Sequence, residues 1–259
     1  MAAESPSRAD VVGRHSGRTA VVTGAARGLG RAYAERLAAE GGRVVVADLA
    51  GAEEAGKSLR EQHGDVWGMS CDVSEPDDVA RLGTQVAELG GADILVHNAG
   101  IYPMQPLGDI SFADWRRVVG INLDSLFLLT QTFLPQMRER GWGRIIGVAS
   151  AAFQTGAPGM AHYVASKGGV IGFIRAVATE VGGDGITANA IAPGFIRTEG
   201  TSTGAHDAAG LFHKTLAAQA IKHTGHPDDL VGALSFIASD DAAFMTGQTL
   251  FVDGGITRS

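Results

Sequence analysis

Cysteine is almost missing from this chain: Cys71 is the only one in 259 residues, so no internal disulfide can form. A fold without crosslinks must be held by its core, and a lone thiol fits a reducing compartment. Long hydrophobic runs are missing as well; no stretch reaches the roughly 18 uninterrupted apolar residues of a membrane helix. The N-terminal stretch lacks the apolar centre of a signal peptide, so residues 1–15 read as a mobile lead-in to a domain over 16–259. Basic residues are in deficit, 21 Lys and Arg against 28 Asp and Glu, for a net charge of −7. With no basic stripe, neither nucleic acid nor an anionic membrane is expected as a partner. The expectation is a cytoplasmic protein acting on small molecules. Linkers and internal repeats are absent too, and the length suits a single domain.

Glycine, by contrast, is abundant at 37 residues, placed at element junctions and inside helices. Such placement suggests tight turns and close backbone approaches. Short apolar runs predict strands over Thr19–Thr23, Arg43–Asp48, Val66–Cys71, Ile94–His97, Arg144–Ala149, Thr187–Ile191 and Thr249–Val252. Helical segments fall between them, near Gly28–Glu40, Ala52–His63, Glu75–Leu89, Phe112–Arg140, Met160–Val181 and Asp228–Ala238. Apolar strands alternating with helices predict an α/β fold, a doubly wound parallel sheet of seven strands with helices on both faces. Asp77, Asp78, Asp228 and Asp229 read as first-turn charges favoured by the helix dipole.

Two segments stand out. Residues 194–227 form a long connection rich in Gly, Thr, His and Ala, as lids over sites often are. The Met160–Val181 helix carries Ala161, Ala165, Gly168, Gly169, Gly172, Ala176 and Ala178, so it is small or apolar almost all round. Such a helix needs cover on two sides, which predicts a homo-oligomer.

The segment Thr23-Gly24-Ala25-Ala26-Arg27-Gly28-Leu29-Gly30 joins the first strand to the first helix. Glycines there let the backbone approach a pyrophosphate, and the helix N-terminus offers free N–H groups and a positive dipole end. Asp48, eighteen residues after Gly30, ends the second strand. A carboxylate there can accept from both adenosine ribose hydroxyls and repels a 2′-phosphate, which favours NAD over NADP. Arg27 pulls mildly the other way, toward a 2′-phosphate.

Tyr163 and Lys167 are spaced four apart, with Ser150 thirteen residues before the tyrosine. On a helix that spacing puts phenol and ammonium on one face. At about 4–5 Å and an effective dielectric near 20, Coulomb's law gives roughly 3–4 kcal/mol. That predicts a phenol acidified to roughly 7–8, able to exchange a proton with an alcohol or carbonyl.

Together Gly24, Gly28, Gly30, Asp48, Asn122, Ser150, Tyr163 and Lys167 resemble the short-chain dehydrogenase/reductase family, as do Cys71-Asp72-Val73, Asn98-Ala99-Gly100 and Pro193-Gly194. The resemblance implies a Rossmann-like fold, usually in a tetramer. It implies Tyr163 as general acid/base, Lys167 on the nicotinamide ribose, Ser150 on the reacting oxygen, and Asn122 holding a water that links Lys167 to solvent. It further implies cofactor contacts along Arg27, Leu29, Leu49, Asp72, Val73, Asn98, Ala99, Gly100, Pro193, Gly194, Ile196 and Thr198, with Ile191 bordering the nicotinamide. His97 and Ala149 depart from the family pattern, and His97 reads as a satisfied structural histidine. Within the family, the chain is similar to bacterial NAD-dependent alcohol dehydrogenases, the 1-phenylethanol and pyridoxal 4-dehydrogenases.

The expected substrate pocket, Ile101, Tyr102, Ala151, Phe153, Phe195, Leu211 and Phe212, is mostly apolar and suits an aromatic or alicyclic secondary alcohol. The competing readings are an NADPH-dependent carbonyl or 3-oxoacyl reductase and a non-catalytic nucleotide-binding regulator. His206, His213, His223 and His226 gather in the lid without the rigid ligand pairs of a zinc site, so no metal is expected. No Gly-x-Ser-x-Gly elbow surrounds Ser150, which argues against a hydrolase.

Overall fold

Seven strands pair in parallel in the order β3-β2-β1-β4-β5-β6-β7. A computed structural model describes residues 13–202 and 210–258 of the chain. The strands are β1 (Thr19–Thr23), β2 (Arg43–Asp48), β3 (Val66–Ser70), β4 (Ile94–His97), β5 (Gly143–Val148), β6 (Ile186–Pro193) and β7 (Thr249–Val252). Between them run α1 (Gly28–Ala39), α2 (Ala52–His63), α3 (Pro76–Glu88), α4 (Phe112–Val119), α5 (Ser125–Arg140), the single-turn α6 (Ala152–Thr155), α7 (Ala161–Val181), α8 (Leu211–Ala218) and α9 (Asp228–Ile237).

The central strands β1, β4, β5 and β6 are buried at every position, because both faces of the sheet are covered. On one face Leu82, Val86, Leu126, Leu129, Phe133, Met137, Val170 and Ile174 bring α3, α5 and α7 onto Val21, Leu95, Ile145 and Ala188. On the other Tyr33, Leu37, Leu59, Leu230, Leu234 and Ile237 bring α1, α2 and α9 onto Val22, Val44, Val46 and Val96. Register follows this alternation: Val21 sits opposite Val45 on one side and Leu95 on the other. The strand order reverses between β1 and β4, so their carboxyl ends part and open a crevice there.

The expected helix over Phe112–Arg140 is continuous but not uniform. Residues Gly120–Asp124 form a π-helical turn between α4 and α5, with Asn122 at its centre. The whole segment is long and apolar enough to cross a membrane by composition, yet Leu126, Leu129, Phe133 and Met137 lie in the core. A capping box starts it: Ser111 Oγ accepts from Asp114 N at 3.0 Å while Ser111 N donates back to the Asp114 carboxylate.

The domain begins earlier than expected. His15 is buried, its N–H donating to the Glu40 carbonyl at 3.0 Å and its Nε2 lying 3.1 Å from Ser235 Oγ and 3.3 Å from Glu40 Oε2. The rest of the expected lead-in, residues 1–12, and His206 in the lid lie outside the described residues. The described part of the 194–227 connection holds α8 and a parallel bridge between Ile196 and Gly225.

Candidate active site

The crevice at the strand ends deepens into one cavity of about 650 Å³, running from the glycine turn to α8. At its nucleotide end the turn after β1 is tight. A Cβ on Gly24 would lie 2.8 Å from Ala99 Cα, and one on Gly30 would lie 2.2 Å from the Gly24 carbonyl oxygen. Gly24 and Gly28 also adopt positive φ of 62° and 57°. Only glycine meets both demands. Arg27 precedes α1 without a side-chain cap, leaving the first-turn N–H groups facing the cavity.

Three anchors hold this turn. Thr23 Oγ1 accepts from Asn98 N and Ala99 N, each at 3.1 Å. Asn98 Nδ2 donates to the Thr23 and Gly24 carbonyls, each at 3.0 Å. Asp48 Oδ2 accepts from Ala26 N at 2.9 Å, so the carboxylate faces the cavity and stiffens the turn at once. Leu49, Asp72 and Val73 line the same end, and Asp72 Oδ1 is held by Ser74 N at 2.9 Å. Cys71 also lines the cavity, with burial and then Asp78 pushing its thiol up to about 11. The turn, the uncapped helix and the Asp48 carboxylate together fit a dinucleotide.

At the other end α7 presents Tyr163 and Lys167 to the cavity. The Tyr163 hydroxyl is hydrogen-bonded to Ser150. Lys167 Nζ donates to the Val148 carbonyl at 2.7 Å, and it lies 5.8 Å from the Tyr163 ring centroid. The expected acidified phenol is corrected here. Burial pushes Tyr163 up, the Ser150 hydrogen bond opposes it, and Tyr102 adds to the rise. Lys167 cannot reverse this, since burial draws its own pKa down to about 8 and its partner is a neutral carbonyl. In the protein alone, desolvation outweighs the Coulomb gain.

Asn122 stands behind the cavity wall. Its Oδ1 accepts from Ile101 N at 2.8 Å, and its Nδ2 donates to the Ile101 carbonyl at 2.9 Å and to Ser166 Oγ at 3.0 Å. Ser166, which the sequence did not single out, donates its own hydroxyl to the Tyr163 carbonyl at 2.7 Å. The i, i+3 spacing from Tyr163 was the available signal. Gly100 lets these groups close in, since a Cβ there would lie 3.2 Å from Asn122 Oδ1 and 3.5 Å from Lys167 Nζ.

Of the residues expected at a substrate pocket, Ile101, Tyr102, Ala151, Phe195 and Leu211 line the cavity, together with Met104, Thr215, Glu199 and Ile256. Phe153 and Phe212 do not. Phe153 is 44% exposed and packs on Gly168 of α7, where a Cβ would meet its ring at 3.0 Å. Phe212 stacks on Phe195 at 4.5 Å and carries the Arg197 guanidinium 4.1 Å from its centroid. Pro193, Gly194, Ile196 and Thr198 border the cavity between the two ends. His162 is fully buried, accepting from Tyr163 N at 2.9 Å through Nδ1 and meeting Gln105 Oε1 at 3.2 Å through Nε2. Among the described residues no three His, Cys, Asp or Glu side chains converge as a metal site.

Residues 24–257 match a family described as enoyl-(acyl carrier protein) reductase. The chain is 39% identical over 242 residues to a 3-oxoacyl-[acyl-carrier-protein] reductase of Vibrio cholerae, covering 93% of this chain and 97% of that one. It is 38% identical over 250 residues to a short-chain type dehydrogenase/reductase of Sinorhizobium fredii, covering 93% and 97%. A crystal structure from Beutenbergia cavernae, described as an NAD(P)-dependent gluconate 5-dehydrogenase with bound NADP, superposes with a TM-score of 0.88 at 36% identity, covering 93% and 97%. These names point to 3-oxoacyl and gluconate chemistry and do not carry the finer resemblance to aromatic-alcohol or pyridoxal dehydrogenases. A match that begins at the glycine turn and spans relatives almost end to end makes this chain a member of the short-chain dehydrogenase/reductase family, NAD(P)-dependent oxidoreductases acting on CH–OH groups.

Proposed function

We propose that the chain interconverts a secondary alcohol and its ketone, with Tyr163 giving or taking the proton on the reacting oxygen. The observation that carries this reading is the convergence of Ser150, Tyr163 and Lys167 on one cavity that also reaches the glycine turn. A nicotinamide bound there would supply or accept the hydride. Ser150 would hold the substrate oxygen beside the phenol, and Lys167 would hold the ribose and offset the phenolate charge. Asn122, tied to Ile101 and Ser166, keeps the β4–α4 loop in register with α7. Apolar lining at Ile101, Tyr102, Phe195, Leu211 and Ile256 supports a hydrophobic substrate, aromatic or alicyclic.

A second reading is reduction of a 3-oxoacyl thioester with NADPH, and relatives named as 3-oxoacyl-[acyl-carrier-protein] reductases favour that substrate over an aromatic alcohol. NAD is the preferred cofactor in the first reading, because the Asp48 carboxylate occupies the ribose end. Steady-state rates with both cofactors, over a panel of aromatic alcohols, gluconate and a 3-oxoacyl thioester, separate the two. Asp48→Ala is expected to raise the NADPH-to-NADH ratio of kcat/KM by about tenfold or more, the effect of removing one like-charge clash of about 1.4 kcal/mol. An unchanged ratio sinks the argument from Asp48.

Self-association is part of the same proposal. The outward face of α7 is exposed at Ala165, Gly172 and Ala176, and a Cβ on Gly172 would meet nothing within 4 Å. A second copy could seat its own α7 closely there, as one contact of a tetramer. Light scattering that returns the mass of one chain would rule this out.

A further inference from the structure

His97 ends β4 with no exposed surface, one residue before the Asn98–Gly100 wall of the cavity. Its Nε2 lies 2.6 Å from Ser125 Oγ. Ser125 has a single proton and donates it to the Ile121 carbonyl at 2.6 Å. The hydroxyl therefore accepts from the ring, which fixes the imidazole proton on Nε2 and leaves Nδ1 a bare acceptor. Nδ1 is buried and has no hydrogen-bond partner among the described residues. The expectation of a fully satisfied histidine thus holds for one nitrogen only. An apolar side chain would avoid that desolvation cost, so what the ring contributes is the donor at Nε2.

Ile121 sits beside Asn122 in the π-helical turn, and Ser125 closes the turn as the first residue of α5. A π-turn carries a surplus residue in the helical ladder, and such turns concentrate at functional sites. Here the turn directs Asn122 onto both backbone groups of Ile101 and onto Ser166, next to Lys167. We infer that His97 is a positioning residue for proton transfer: its Nε2–H clamps Ser125, Ser125 clamps the Ile121 carbonyl, and the clamped turn aims Asn122. The inference rests on the reading of Tyr163, Lys167 and Asn122 as the proton-transfer set. Burial, reinforced by the charge on Lys167, draws the ring's pKa down to about 3, so the ring stays uncharged across the neutral range.

Three variants and two readouts test the clamp. His97→Phe removes the donor at similar size, His97→Gln keeps an amide donor, and Ser125→Ala removes the second link. Amide hydrogen exchange at Ile101, whose N–H is held by Asn122, reports the geometry without any substrate. In His97→Phe that exchange is expected to quicken about tenfold or more, with kcat falling about ten- to a hundredfold and the nucleotide KM unchanged. His97→Gln should recover most of both, and Ser125→Ala should reproduce both losses. The His97→Phe/Ser125→Ala pair should lose no more than either variant alone, since the links act in series. If His97→Phe does not fold, Ser125→Ala carries the test by itself. Unchanged Ile101 exchange in a folded variant overturns the clamp, and so does an unchanged kcat where the parent is active. A parent chain inactive on every alcohol and ketone defeats the functional reading, while the exchange data still decide the clamp.

Discussion

Tyr163 carries the chemistry of the proposed reaction at the scale of a single side chain. Tyr163→Phe keeps the ring that meets Tyr102 edge-on at 6.4 Å and removes the hydroxyl bonded to Ser150. Turnover is expected to fall by about three orders of magnitude or more, the contribution of a general acid/base. Nucleotide affinity should stay within about twofold, because the phenol lies at the far end of the cavity from the glycine turn. Tight-binding titration of the nucleotide beside steady-state rates checks both halves, and substantial residual turnover would remove Tyr163 from the role. The residue pattern made Tyr163, Lys167, Ser150 and Asp48 legible at once. The protonation energetics were not legible. A helical spacing fixes which groups share a face but says nothing of how dry that face is, and dryness here raises the phenol and lowers the lysine.

Among the elements, the long helical segment from Phe112 to Arg140 shows most clearly what patterns convey and omit. Its apolar residues announced a helix, and the core contacts of Leu126, Leu129, Phe133 and Met137 bear that out. The π-turn over Gly120–Asp124 was not readable, because one surplus residue shifts the phase of a helix without changing its composition. The capping box at its start, Ser111 with Asp114, lies at the surface, and the Ser111 side chain bonds only within the box. Ser111→Ala should therefore cost about 0.5–2 kcal/mol of stability with activity retained. Chemical denaturation with the m-value checked for constancy measures it, and a loss within error would mean that the segment is held by its core face alone. The pocket aromatics belong to this scale too. Phe153 and Phe212 sit beside cavity-lining residues in sequence, but the short α6 turns Phe153 outward and Phe212 packs on Phe195 away from the wall.

Across the whole molecule, two buried histidines tie distant pieces together and set the response to acid. His15 joins the chain before β1 to Glu40 after α1 and to Ser235 on α9, and burial draws its pKa from 6.5 down to about 4. His97 is drawn down further, to about 3. A histidine with a depressed folded pKa binds its proton in the unfolded chain first. Its stabilising contribution is complete above pH 6.5 and is lost as the pH falls from 6.5 toward the folded values. Each contributes a slope of about 1.4 kcal/mol per pH unit inside its window. Tm is expected to drop steeply below about pH 6, and His15→Gln should flatten part of that limb. A Tm profile that keeps its acid slope in His15→Gln would assign the limb to other groups. Lys167 works in the alkaline range by the same rule: its pKa is drawn from 10.5 down to about 8, so the cost of burying its charge is relieved as pH rises between those values.

The sequence by itself determined the alternation of strands and helices, the parallel doubly wound sheet, the glycine turn, the acidic end of β2 and the Tyr163–Lys167 pair. Those are local facts, set by periodicity, by the steric freedom of glycine and by fixed spacing on a helix. Tertiary structure alone decided the rest. It brought Asn122 from a π-turn, Ser166 from α7 and Ile101 from the loop after β4 into one hydrogen-bonded set. It buried His15 and His97, and it chose which apolar residues face the cavity. Burial, tautomer and the balance between desolvation and charge depend on atoms far apart in the chain. A pattern read along one dimension carries no measure of them.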